Sequence, residues 1–177
     1  MVNKKKSPTT KQIISLSLYK LLFKKEYDEI TVKEICEEAG ISRMSFYRYY
    51  DKKDDIFIDY CDERFEEFYE LYILEQKQPL RELIISMFAF FKRYRRQIMI
   101  LKKAHREQLL NAQFDSYARY VLFNSDVPEF VKHKDNHIAA SFLSGGALNV
   151  LLYWLENDID KTPEQMAESI FALFDKK

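Results

Sequence analysis

The chain has 177 residues, 47% hydrophobic and 32% charged, with 28 Lys/Arg balancing 28 Asp/Glu. That balance is ordinary for a soluble globular protein, allows one domain of about 120 residues plus a small one, and excludes a uniformly basic nucleic-acid binder. Only three Gly and four Pro occur, which favours long helices joined by short turns over strands at hairpin spacing.

The charge is unevenly placed. Residues 1–53 hold 12 basic and 7 acidic residues, or +5, and residues 54–177 hold the other 16 and 21, or −5. A basic head on an acidic body is expected when one end meets phosphates. Cys36 and Cys61 fall in predicted helices without a CxxC pair and read as reduced core thiols of a cytoplasmic protein. No apolar run reaches the ~18 residues that span a bilayer, and polar residues follow Lys4, Lys5 and Lys6 where a signal peptide needs an apolar core, so no membrane partner is expected.

In chain order, residues 1–7 read as a basic arm. The first helix is predicted from Pro8 to Lys25, capped by Ser7, with Ile14, Leu18 and Leu21 at helical spacing. Thr31 and Glu34 form a T-x-x-E capping box for the second, which buries Ile35 and Cys36 and ends at Gly40. Ser42 caps a short third helix anchored by Ile41, Phe46 and Tyr50. Asp51 then reads as the cap of a fourth helix, running to about Glu75 with an aromatic stripe and a solvated carboxylate face that includes Asp59, Asp62, Glu63, Glu66 and Glu67. Pro79 opens the fifth helix, which ends in the basic cluster Lys92, Arg93, Arg95 and Arg96, cations suited to a helix C-terminus. A sixth helix runs from Ile98 to Ala104 and a seventh from Arg106 to Phe123, followed by a loop around Pro128. The eighth spans about Asn136 to Asn157. It carries Gly145 and Gly146, which lower helix stability by about 1 kcal/mol each relative to Ala and call for a close approach by a helix or ligand. Thr162, Pro163 and Gln165 start the ninth. The fold class is therefore all-α, with about nine helices.

The segment from Thr31 to Phe57 carries the function. Two short helices joined by a tight turn form a helix-turn-helix, whose second helix enters the DNA major groove. Arg43 is suited to guanine O6 and N7, while Met44 and Ser45 suit base edges or a thymine methyl. Arg48 reaches a base or a phosphate. Ser42 lies at the start of the same helix, and Thr31, Tyr47 and Tyr49 offer hydroxyls to phosphates. Lys53, in the first turn of the fourth helix, conflicts with the macrodipole unless a phosphate docks there.

Residues 30–57, I-T-V-K-E-I-C-E-E-A-G-I-S-R-M-S-F-Y-R-Y-Y-x-K-K-x-D-I-F, resemble the DNA-binding domain of the TetR family of bacterial transcriptional regulators. One departure is Glu26, where that family usually has Gly at the end of the first helix. Gly145 to Met166 resembles a subgroup of the family that includes the activator of dihydroxyacetone kinase genes. The resemblance implies an N-terminal three-helix helix-turn-helix domain (8–68, motif 31–50) and a C-terminal helical ligand-binding and dimerisation domain (69–177). It also implies a homodimer built on the eighth and ninth helices, and a ligand cavity among helices four to eight. Val150, Trp154, Ile170, Phe171 and Phe174 are the interface candidates. Phe68, Tyr72, Phe88, Phe91, His105, Tyr117 and Phe142 are the pocket candidates for a small apolar or aromatic effector.

His133 and His137 sit four apart without a third ligand, so no metal site is assigned, nor any cofactor. No Ser-His-Asp order, P-loop or Gly-rich phosphate loop is present, and no enzyme is expected. The reading is a ligand-responsive repressor acting as a homodimer on a near-palindromic operator. The alternative is a coregulator whose C-terminal domain binds a partner protein, and a filled core with an exposed apolar patch would favour it.

Overall fold

The computed structural model describes residues 8–74, 78–124, 126–131 and 136–174. All regular structure among them is helical: α1 (Thr10–Leu22), α2 (Val32–Ala39), α3 (Arg43–Tyr47), α4 (Asp54–Tyr72), α5 (Leu80–Arg93), α6 (Arg95–Lys103), α7 (Glu107–Asn124), α8 (Pro128–Val131), α9 (His137–Glu156) and α10 (Pro163–Phe171), with a 3-10 turn at Tyr27–Glu29. The addition to the expected set is α8, a single turn, so the predicted eighth and ninth helices are α9 and α10. Two compact units divide within α4, between Cys61 and Asp62, ahead of the boundary expected at residue 68.

In the N-terminal unit α1 begins at Thr10, and Thr9 rather than Ser7 is its cap, in a reciprocal box with Gln12; Ser7 lies outside the described residues. The core is Ile14, Leu18, Tyr27, Ile30, Ile35, Phe46, Tyr50, Ile56 and Phe57. Tyr27 and Phe57 pack with ring centroids 5.3 Å apart. Glu26 has φ −69° and ψ 150°. The chain leaves α1 through extended backbone that any residue adopts, so the glycine usual in the family is not needed here.

The C-terminal unit packs α9 along α7 and α10 along α5. One apolar cluster gathers Phe68, Leu83, Phe90 and Val121; a second gathers Phe88, Ile98, Leu151, Trp154, Leu155 and Met166. Phe90 is fully buried, with Arg93 stacked 4.9 Å from its centroid. Tyr94 separates α5 from α6, so only Lys92 and Arg93 end a helix. Arg95 and Arg96 start α6 instead, where the dipole disfavours cations. Arg95 is held there by Leu155 O at 2.6 Å and Asp158 at 3.4 Å.

Glu66 on the carboxylate face of α4 is exposed, as the solvated reading expects, but the other four acids are engaged. Asp59 takes Lys11 and the Tyr50 hydroxyl, Asp62 takes the Tyr117 hydroxyl, and Glu63 and Glu67 take Arg64. No unbroken apolar run of bilayer length is present in the sequence, yet α9 has 20 residues and an 18-residue window of mean hydropathy 1.5. It is long and apolar enough to cross a bilayer by length and composition only, as the core helix of a soluble protein also can be. Ser, Gly and Asn interrupt its apolar run without lowering the average much, which is why a search for an unbroken run passes over it.

Candidate nucleic-acid interface and effector cavity

The α2–α3 turn is built from local chemistry. The Thr31 side chain accepts from Glu34 N at 3.3 Å, and Glu34 Oε2 accepts from Thr31 N at 2.9 Å. Gly40 ends α2 with φ 65° and ψ 35°, the left-handed conformation that favours glycine. Ile41 N donates to Cys36 O at 3.0 Å and closes the cap. Ser42 Oγ accepts from Ser45 N at 3.1 Å and starts α3. Phe46 and Tyr50 are buried, with ring centroids 5.7 Å apart. They pin one side of α3 and turn its other side outward.

That outer side and the turn after α3 hold Arg43, Met44, Tyr47, Arg48 and Tyr49, all exposed, with Met44 at 81%. The Arg43 and Arg48 side chains make no hydrogen bond or ion pair among the described residues. Ser42 is exposed and Ser45 half-buried, their hydroxyls 3.1 Å apart. Around them the acids of α2 are paired with lysines: Glu34 with Lys25 at 2.5 Å, Glu38 with Lys20 at 3.2 Å and Glu37 with Lys33 at 3.7 Å. Lys25, then the Thr31 amide and hydroxyl, hold the Glu34 carboxyl down to about 2. Burial raises the Cys36 thiol above its ordinary value.

Two expected phosphate contacts are placed differently. Thr31 is exposed, but its hydroxyl donates to Glu34 Oε2 at 2.8 Å, so its proton is engaged in the cap. Lys53 precedes α4 and points back into the fold, donating to Tyr27 O at 2.6 Å and Ile30 O at 2.8 Å. These carbonyls resolve the conflict with the dipole that suggested a phosphate. The α4 start differs as well: Asp55, inside the helix, reaches back and accepts from Asp51 N and Lys52 N at 2.9 Å each.

The C-terminal unit contains an apolar cavity of about 160 Å³. It is lined by Phe65 and Phe68 of α4, Leu83, Ile84, Met87 and Phe91 of α5, Phe114, Tyr117 and Val121 of α7, and Ala140, Ser144 and Ala147 of α9. Phe68, Phe91 and Tyr117 were pocket candidates from the sequence. The other four lie elsewhere. Tyr72 packs on the first core cluster beside Phe68. Phe88 is fully buried against Trp154, with centroids 5.4 Å apart. His105 terminates α6 with φ 53°, exposed. Phe142 is 67% exposed on the outer face of α9. The lining residues missed on α7, Phe114, Ala118 and Val121, carried a signal, because together with Tyr117 they follow helical spacing.

Of the interface candidates, Trp154 is only 3% exposed. Its indole N–H donates to Ile159 O at 3.1 Å and Lys161 O at 3.2 Å, so it belongs to the core of its own unit. Val150 and Ile170 are half-buried against that same core. Phe171 is half-buried with Arg81 5.7 Å from its centroid, and Phe174 is exposed. The open face of α9 instead presents Ile138, Phe142, Gly145, Gly146, Asn149 and Tyr153. A Cβ added at either glycine would meet nothing within 4 Å. His137 lies edge-on to Phe123, and His133 lies outside the described residues.

Comparison with known proteins agrees with this architecture. Residues 18–60 match the model for bacterial regulatory proteins of the tetR family, and residues 78–176 match that for a transcriptional regulator C-terminal region. The chain is 22% identical over 170 residues to the uncharacterized HTH-type transcriptional regulator YxbF of Bacillus subtilis (strain 168), covering 91% of this chain and 43% of that protein. It therefore spans under half the length of that relative. The solved structure of the dihydroxyacetone kinase operon activator DhaS superimposes with a TM-score of 0.53 over 94% of both chains, at 17% identity, a likeness of fold. The molecule is a helix-turn-helix, DNA-binding transcriptional regulator. It belongs to the TetR family.

Proposed function

We propose that this regulator is a ligand-responsive repressor that binds a near-palindromic operator as a homodimer. The observation that carries the reading is the outer side of α3, where Arg43 and Arg48 stand exposed without internal partners while Phe46 and Tyr50 fix the helix behind them. Arg43 reads a guanine edge, Met44 and Ser45 approach neighbouring bases, and Arg48, Tyr47 and Tyr49 position the helix on phosphates. Ser42 and Thr31 hold the geometry of the motif through their caps, and Lys53 ties the 3-10 turn to the start of α4.

The open face of α9 supports a second copy as its partner. Apolar side chains recur there at three- and four-residue spacing around two glycines that admit close helix approach. Exposed Phe174, and Phe171 beside it, extend that surface on α10. The cytoplasm is the compartment in which such a repressor meets its operator. An effector in the cavity acts through α4, because Phe65 and Phe68 line the cavity from that helix. It must bind one state of the protein better than the other. The cavity favours a small molecule over the partner-protein alternative, for which a filled core with an exposed apolar patch was expected; the exposed patch is there on α9, and this reading gives it to the second copy.

Selection of bound sequences from a random duplex pool at defined salt tests the reading. A palindrome with half-sites about 34–36 Å apart, or a multiple of that, is expected. Equal binding to every duplex would overturn it.

A further inference from the structure

The cavity contains two hydroxyl groups in an otherwise hydrocarbon and thioether wall, and both protons are committed outside it. Ser144 Oγ donates to Asp115 Oδ1, and Tyr117 OH donates to Asp62 Oδ1. Asp115 is fixed in turn by Arg119, whose Nε lies 2.7 Å from its Oδ2. The Arg119 guanidinium, and then the Ser144 hydroxyl, keep the Asp115 carboxyl below its ordinary range, so it stays an acceptor.

A molecule entering this space leaves its water hydrogen bonds behind and meets no free donor. For a carbonyl oxygen, which can only accept, that loss is about 1–3 kcal/mol, and for a carboxylate it is far larger. The volume of about 160 Å³ matches one ring. An apolar protein cavity of about 150 Å³ stays dry and admits benzene. The walls supply dispersion contact from Phe68, Phe91 and Phe114, and Phe65 lies flat on Tyr117 with centroids 4.0 Å apart.

We propose that the cavity takes an uncharged single-ring ligand without hydrogen-bond acceptors, and that Asp115 sets this preference by holding the proton of Ser144. The inference rests on the effector reading above and names the chemistry of the effector. Asp115 is a positioning residue: it does not line the cavity, and it acts through Ser144.

The test is calorimetric titration of the full chain with toluene, benzaldehyde (whose carbonyl can only accept) and benzoate. Toluene should bind at least tenfold more tightly than benzaldehyde, and benzoate should give no heat. Asp115→Ala should bring benzaldehyde to within about threefold of toluene, while Ser144→Ala should leave the preference as it is. A purely structural role for Asp115 would change both affinities together, and that result would overturn the assignment. Ala147→Leu fills the cavity and should abolish toluene binding with helicity retained; Ala118→Leu serves the same purpose should that variant not fold. No heat with toluene, or equal binding of benzoate, would overturn the ligand class. Operator selection without any ligand is read separately. A chain that prefers a palindrome but ignores toluene loses only this inference, and one that binds toluene but prefers no duplex loses only the repressor reading.

Discussion

Lys53 Nζ sits 4.1 Å from the centroid of the Tyr27 ring and donates to the carbonyl oxygen of the same residue at 2.6 Å. A second bond to Ile30 O at 2.8 Å completes a clamp across the turn that precedes α2. Lys53→Met should therefore lower the stability of the N-terminal unit by about 1.5–3 kcal/mol, the range for a hydrogen bond to a charged group. Thermal melting reads that loss. The slope of log affinity for DNA against log salt should stay as in the parent; a slope shallower by about one would mean that the ammonium neutralises a phosphate after all.

Arg43→Ala should relax sequence preference at one base position in each half-site, with a loss of about 1–3 kcal/mol confined to that position. Competition among operator variants at fixed salt measures it. A uniform weakening across all variants would place Arg43 on the phosphates.

Glu34 gives the motif an acid dependence. Its carboxyl titrates lower in the folded chain, at about 2, than the ordinary value of 4.5. The ionised form therefore favours folding. That contribution is complete above the ordinary carboxylate value and is lost as pH falls toward 2. Urea midpoints followed from pH 6 downward should fall more steeply for the parent than for Glu34→Gln, which keeps the cap geometry without the charge. Parallel curves would show that the Lys25 and Thr31 contacts do not persist in solution.

His105 holds φ 53° after α6. Its N–H donates to Lys102 O at 2.9 Å and Arg106 N donates to Leu101 O at 3.1 Å, closing the helix. Left-handed backbone disfavours a side chain, so His105→Gly should raise stability by about 0.5–1 kcal/mol. Toluene affinity should not move. A drop in that affinity would return His105 to the cavity.

Gly146→Ala separates the helix from its partner. With nothing within 4 Å of the new methyl group, the variant should stabilise α9 by up to about 1 kcal/mol. The same methyl group should hold a second copy away, so sedimentation equilibrium should show a weaker dimer. A dimer of unchanged strength would place the interface on another surface.

The N-terminal elements were legible because their signals are local. Thr31 with Glu34, Gly40 and Ser42 each act within a few residues, and all three took their predicted roles. Thr162 with Gln165 did the same for α10. Side-chain destinations across longer separations were not legible. Nothing near Lys53 in sequence announces the carbonyls of Tyr27 and Ile30. Trp154 looked like interface because it is large and apolar, yet the turn at Ile159 and Lys161 supplies its acceptors and keeps it inside. The aromatic residues of α4 to α7 share one spacing whether they fill a core, as Phe88 and Phe90 do, or line a cavity, as Phe65 and Phe91 do. Periodicity names the inward face without saying how full the space behind it is.

The obstacle to replacing Gly40 is handedness rather than room, since a Cβ there would touch nothing within 4 Å. A chain assembled by chemical ligation with D-alanine at this one position should accept the mirror-image residue and lose entropy in its unfolded form, so that the bend before the reading helix becomes stiffer than evolution could make it with L-amino acids.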